Sequence, residues 1–243
     1  NCVLQMGGSD QWGNITSGTE FIRRNEPGSE VFALTSPLLT KADGKKFGKS
    51  EEGNIWLDPE MTTPYQFYQF WLNVDDRDLT KLFRYFSLLN RPEIELLEKE
   101  NADNPNALKA ILGKELTTRI HGDKAFESAK NVSEILFNPK ASREQLIGLH
   151  QNDLKLISGE IPSFQLDRNI LNEKTNIVDL LSEHTSVVSS KSDARRAIQS
   201  NSISINKDKI SDIASVIQSN HLLFGRYMMI ENGKKNKYMI EFI

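Results

Sequence analysis

The sequence predicts a multidomain chain, α/β at its front, α-helical in its middle and small α+β at its end. Three patterns carry that prediction. The apolar run Val3-Leu4-Gln5-Met6 stops at a glycine turn, Gly7-Gly8-Ser9-Asp10-Gln11-Trp12-Gly13, and a helical pattern follows. From about residue 62 the apolar residues recur at helical spacing. After residue 176 two short helical patterns give way to short alternating strands. A length of 243 residues accommodates two or three units with cores of their own.

Taken in order, residues 2–6 read as a buried strand. Ser9-Asp10-Gln11 opens a helix running towards Arg24, and Asn25-Glu26-Pro27-Gly28 ends it. Residues 31–39 read as a second strand, which delivers the lysine-rich stretch Lys45-Lys46-Phe47-Gly48-Lys49-Ser50 at its carboxyl end, the edge where open α/β sheets bind ligands. Pro64 suits a first helical turn, and Tyr65, Phe67, Tyr68, Phe70 and Trp71 follow it. At this spacing they read as core, although aromatics in a row also suit base stacking. Asp75-Asp76-Arg77-Asp78 reads as a cap on the next helix, with a metal site as the other reading. Pro92, Asn104-Pro105 and Asp123 open three more helices, and Ser142 with Gln145 resembles a capping box. The whole is a bundle of roughly five helices.

Residues 151–175 are polar, hold Gly159 and Pro162, and are expected to contain a linker. Beyond them the expected elements are helices over 177–183 and 192–200, a strand at Ile203 and Ile205, and the pair 227–230 with 238–240. Leu222 and Leu223 are candidates for a further strand. Asn232-Gly233 is the expected turn before the last strand. The expected divisions are 1–61, 62–150, the linker 151–175, and 176–243.

Thirty basic and thirty-three acidic residues give a net charge of −3, which points neither towards nor away from nucleic acid. The distribution is more telling. Residues 176–243 hold nine basic and seven acidic groups, so this end is mildly positive within an acidic chain. Cys2 is the only cysteine, which excludes a disulfide framework and a cysteine zinc site within one chain. The four histidines are scattered without ligand spacing, and no protein-bound metal is expected. No apolar run approaches the roughly 20 residues that span a bilayer, so a soluble, cytoplasmic protein without a membrane partner is expected.

The glycine turn and the lysine stretch suit two parts of one ligand. Consecutive small residues after a strand let backbone N–H groups approach a nucleotide. Several ammonium groups on a glycine-containing loop suit a polyphosphate. Together they suggest an ATP-using enzyme; the lysine stretch taken alone reads more readily as a solvated basic loop.

Lys-Phe-Gly-Lys-Ser at 46–50 resembles the KMSKS loop of class I aminoacyl-tRNA synthetases, with Phe47 and Gly48 in place of Met and Ser. The blocks LQMGGSDQWGNITSGTEFIRR, LTSPLLTKADGKKFGKSEEGNIWLDP and PYQFYQFWLNVDDRD are similar, in that order, to bacterial tyrosyl-tRNA synthetases. The resemblance implies the C-terminal end of a Rossmann-like nucleotide-binding domain, a helical anticodon-side domain and a small RNA-binding domain. It implies ATP as substrate with Mg2+, tyrosine and tyrosine tRNA as partners, and a homodimer at full length. By the same resemblance Lys46 and Lys49 hold the β- and γ-phosphates, Ser50 adds a hydrogen bond, and Gly44 and Gly48 let the loop move. Gly8 admits the ribose, Asp10 accepts from its hydroxyls, Gln11 lies beside the adenylate, and Gln5 lies near tyrosine. For Asp10 an ordinary helix N-cap remains open, and for Gln5 a buried glutamine with backbone partners.

Ser190-Lys191-Ser192-Asp193-Ala194-Arg195-Arg196-Ala197-Ile198, followed by Ile203-Ser204-Ile205-Asn206, resembles a small RNA-binding module first known from a ribosomal small-subunit protein. Lys191, Arg195 and Arg196 are its candidate phosphate contacts, with Lys207, Lys209, Arg226, Lys234, Lys235 and Lys237 as further ones. Asparagine stands at 201, where the family often has glycine, and tolerates the same left-handed turn. A salt-bridged surface helix is the other reading of this region.

The family's His-Ile-Gly-His-type motif and the residues expected at the tyrosine phenol are not in this sequence. The chain is therefore expected to be the C-terminal part of a longer protein, inactive by itself, with an exposed apolar edge near residues 2–6. The rivals are a tryptophanyl enzyme and a synthetase-derived RNA-binding or regulatory protein without catalysis.

Overall fold

The computed structural model describes residues 2–44, 47 and 55–243. The chain divides into two units, 1–57 with 73–110, and 58–72 with 111–243.

In the first unit β1 (Leu4–Gly8) runs parallel to β2 (Phe32–Ser36), Leu4 opposite Phe32 and Gly8 opposite Ser36. The helix α1 (Trp12–Asn25) makes the crossover and buries Ile15. This is the expected strand–helix–strand unit, shifted by two residues at β1. The strand is not buried as expected: Leu4 and Met6 on β1, and Phe32 and Leu34 on β2, are exposed among the described residues.

α2 (Pro64–Leu72) belongs to the second unit and starts at its proline, since that residue lacks only an N–H that the first turn leaves unpaired. Tyr65, Phe67, Tyr68 and Trp71 are buried, so the aromatic stripe is core. Asp75 accepts from the Arg77 N–H and caps the turn before α3 (Leu79–Phe86), as the capping reading expects. α4 (Arg91–Glu100) follows, and with it the first unit's helices end except for residues 105–110 of α5 (Pro105–His121).

The rest of α5, α6 (Asp123–Phe137) and α7 (Arg143–Ile147) are helices of the second unit. The N-cap of α6 is Gly122 (φ 86°) rather than Asp123, which occupies the first turn. Ser142 and Gln145 close the expected capping box on α7. The expected linker is not one. Residues 151–160 form α8 (Gln151–Glu160), whose Leu154 and Ile157 are fully buried, and β3 (Ser163–Leu166) is a strand.

β3 is the edge of a five-stranded sheet ordered β3, β7 (Asn236–Phe242), β6 (Tyr227–Asn232), β4 (Ile203–Ile205) and β5 (Asp208–Lys209). It pairs parallel with β7, and the other neighbours are antiparallel. Leu222 and Leu223 join no strand; Leu223 makes a single bridge to Tyr227. Gly233 (φ 73°) supplies the left-handed residue of the β6–β7 turn.

The sheet is covered on both faces, which is why β6 reads as an unbroken apolar run. Tyr227, Met229 and Met239 pack with Phe126, Val132, Ile135, Leu154 and Ile157 of the helices. Met228, Ile230, Ile240 and Phe242, on the other face, pack with Ile177, Leu180, Leu181, Ala194 and Ile198. Those last residues lie on α9 (Ile177–Asp179), its continuation Leu180–His184, and α10 (Lys191–Gln199).

Candidate functional site

Two places carry the predicted site residues, one in each unit. In the first, β1 ends in Gly7 and Gly8 and turns at once into the short helix Ser9–Gln11 that leads to α1. A Cβ on Gly8 would stand 2.8 Å from Asp10 Oδ1 and 2.8 Å from Leu38 Cδ2; one on Gly7 would stand 3.1 Å from Ile15 Cδ1. A side chain at either position would have to displace these side-chain ends, so with glycine at both bare backbone lies at the carboxyl edge of the strand pair. Asp10 and Gln11 are exposed beside it. Gln11 Oε1 accepts from Asn14 Nδ2 at 3.0 Å. The N-cap position is Gly8, with no side-chain cap, so Asp10 does not serve as an ordinary N-cap. It sits two residues further in, where a carboxylate is still favoured by the helix start. Gln5, opposite Ala33 in mid-strand, is exposed rather than buried.

Lys46, Lys49 and Ser50, with Gly48, lie outside the described residues. Their neighbours are held. Phe47 N–H donates to Leu39 O at 2.9 Å, and the Phe47 ring lies 5.5 Å from that of Phe86. Gly44 (φ 82°) closes a turn with Lys41 O at 2.9 Å. The Lys81 ammonium donates to Thr40 O at 2.8 Å, and Ala42 N–H donates to Asp78 Oδ2 at 3.1 Å. Sequence reasoning missed Asp78 and Lys81, because Asp78 stands in a run already explained by capping and its partner is 36 residues away.

In the second unit the tail residues separate into three kinds. Lys191 is held by Asp179 at 2.7 Å and Glu183 at 2.9 Å, and these carboxylates raise its pKa. Arg196 pairs with Asp193. The Ser189 and Ser190 hydroxyls and Arg196 together hold Asp193 down to about 2. Arg195 and Lys209 are exposed and have no ion-pair partner among the described residues, and Lys234 and Lys235 are exposed on the hairpin turn. Arg226 reaches Glu241 at 2.6 Å.

Lys207 and Lys237 correct the expectation. Both side chains are 7% exposed, and both ammonium groups meet Glu231, at 2.8 and 3.2 Å. Both also donate to Ile135 O, at 3.4 and 2.7 Å. Buried ammonium groups with internal partners are not surface phosphate contacts. Among the described residues no cluster of three metal-ligating side chains occurs, and no helix is long and apolar enough to cross a membrane.

Residues 1–138 match the family model described as tRNA synthetases class I (W and Y), and residues 153–240 match that of the Tyrosine--tRNA ligase SYY-like C-terminal domain. The Tyrosine--tRNA ligase of Cytophaga hutchinsonii is 49% identical over 100% of this chain and 57% of its own length. That of Bacteroides thetaiotaomicron is 45% identical over 98% of this chain and 56% of its own. The chain thus spans a little over half the length of these curated relatives. Among solved structures, a C-terminally truncated mitochondrial tyrosyl-tRNA synthetase of Coccidioides posadasii is 30% identical over 52% of this chain and 38% of that one, with a TM-score of 0.42.

Proposed function

The chain belongs to the class I tRNA synthetases of the tryptophan and tyrosine family, and from that premise we propose that it is part of a tyrosine–tRNA ligase. One observation carries the choice of tyrosine: the synthetase model is followed, in the same chain, by a C-terminal model specific to tyrosine ligases. A tryptophan enzyme would not be expected to match both.

In this reading residues 1–57 form the end of a nucleotide-binding domain. ATP, entering with Mg2+ on its phosphates, lies over the bare backbone of Gly7 and Gly8. Asp10 accepts hydrogen bonds from the ribose hydroxyls, Gln11 borders the adenylate, and Gln5 borders the tyrosine. A carboxylate oxygen of tyrosine attacks the α-phosphorus, the bond to the β,γ-phosphates breaks, and pyrophosphate leaves. Lys46 and Lys49 follow the charge that builds on the leaving group, with Ser50 adding a hydrogen bond. A ribose hydroxyl of the tRNA then attacks the tyrosyl carbonyl carbon and AMP leaves. Positioning and charge stabilisation suffice, with no covalent enzyme intermediate. The helical part and the tail hold tyrosine tRNA, the tail through Arg195 and Lys209 foremost.

The test is ATP–pyrophosphate exchange by the protein at the full length of its relatives. Exchange dependent on tyrosine, and lowered about 10²–10³-fold by Lys49→Ala, supports the reading. Exchange driven by tryptophan, or by no amino acid, overturns it.

A further inference from the structure

The lysine stretch has a foundation built mainly from residues outside the motif. Two charge-assisted hydrogen bonds of opposite sense reach neighbouring backbone groups. Lys81 donates to Thr40 O at 2.8 Å, and Asp78 accepts from Ala42 N–H at 3.1 Å. Asp78 ends the turn before α3 and Lys81 lies three residues on, so both project from one side of the helix start. Beyond the Gly44 turn, Phe47 is fixed twice, by its N–H on Leu39 O and by its ring against Phe86. The backbone is therefore pinned at 40, 42 and 47, and Lys45 and Lys46 lie between the pins in sequence.

Asp78 is only 6% exposed. A carboxylate is kept so deep only when its partners compensate the lost hydration, and one of these is a loop amide. A cap alone would not need it, because Asp75 already accepts from Arg77 N–H and the α3 start makes no side-chain cap bond to Asp78.

We propose that Asp78 and Lys81 are positioning residues for the lysine stretch, fixing its base so that the motif lysines meet the polyphosphate of ATP without first ordering the chain that carries them. The proposal rests on the functional reading above. Pre-fixing the base removes conformational entropy that binding would otherwise have to overcome. The effect falls on ATP and not on tyrosine, since the position assigned to the amino acid is Gln5 on β1 and neither residue belongs to that strand.

Two variants test it, Asp78→Asn and Lys81→Met, with Lys81→Arg as the conservative rescue. Hydrogen exchange on this chain should show faster exchange at the amides of Ala42 and Phe47, with those of α3 unchanged. In the full-length protein kcat/KM for ATP should fall about tenfold, equivalent to about 1.4 kcal/mol. The KM for tyrosine should stay within about twofold, and Lys81→Arg should restore most of the loss. Unchanged exchange at both amides overturns the proposal, as does faster exchange with unaltered ATP kinetics. An unaltered protein lacking tyrosine-dependent activity would overturn the functional reading instead, while the amide measurement would still decide whether the base is pinned.

Discussion

Glu231 and Lys237 face each other directly across the last two strands, their charges 3.2 Å apart on the sheet face that packs against the helices. A second ammonium, that of Lys207, reaches the same carboxylate at 2.8 Å. Two buried cations share one anion, and the carbonyl of Ile135 near the end of α6 takes a hydrogen bond from each.

That imbalance predicts an asymmetry. Glu231→Gln leaves two buried ammonium groups without a counter-charge and should cost about 3–5 kcal/mol in urea denaturation. Lys237→Met leaves a one-to-one Lys207–Glu231 pair and should cost less than about 1 kcal/mol. Burial, with Lys207 beside it, pushes Lys237 below the ordinary lysine value of 10.5. Below the lowered pKa the group is charged in both states. Between it and 10.5 only the unfolded chain still binds the proton, so stability should rise with pH there. The rise should vanish in Lys237→Met; its persistence would place it elsewhere.

His121 predicts a pH dependence at the acid end. Its ring stands edge-on to Phe67 at 4.9 Å, and Nε2 finds no hydrogen-bond partner among the described residues. Burial lowers its pKa below 6.5. Above 6.5 both states are neutral and nothing is lost. As pH falls through 6.5 towards the lower folded value, only the unfolded chain takes up the proton. Stability should then decline by at most about 1.4 kcal/mol per pH unit. His121→Gln should flatten that part of the stability profile between pH 7 and 5.

The end of α10 predicts a residue preference. Asn201 has φ 55°, its N–H donates to Ile198 O, and Ser202 N–H donates to Ala197 O, both at 2.9 Å. These two bonds close the helix with a left-handed residue between them. Asn201→Ala should cost up to about 1 kcal/mol, since Ala keeps the Cβ that crowds the carbonyl here and lacks the short polar side chain that lets asparagine tolerate this conformation. Asn201→Gly should be neutral or stabilising. Equal melting temperatures for the Ala and Gly variants would contradict the assignment.

What the sequence disclosed was local. The stripe at Tyr65 and Trp71, the Ser142 capping box, the β6–β7 hairpin and the tolerance of Asn201 each depend on neighbours within a few positions. The strand β3 stayed hidden because its partner is a parallel strand at the far end of the chain, a pairing no short pattern encodes. Lys207 and Lys237 were misplaced for the same reason. Their carbonyl acceptor lies 72 and 102 residues away, and a lysine's composition value is the same inside and out. At the first site the glycines were legible because their small size is itself the signal, whereas the Asp78 anchor became visible only through its contact.

The same distinction yields the sharpest test of the tail. Arg195 and Lys209 are exposed without ion-pair partners among the described residues, so each is available to a phosphate at no cost in broken pairs. Lys191 must leave two carboxylates and Arg196 one before contacting RNA. Binding of tyrosine tRNA across a salt series should therefore weaken with Arg195→Ala and with Lys209→Ala, each lowering the salt slope by about 1. Lys191→Ala should have a smaller effect. Lys207→Ala should leave the slope unchanged and act on stability, because its ammonium faces Glu231 and not solvent. A slope lowered by Lys207→Ala but not by Arg195→Ala would mean that the tail rearranges on the RNA and exposes its buried charges.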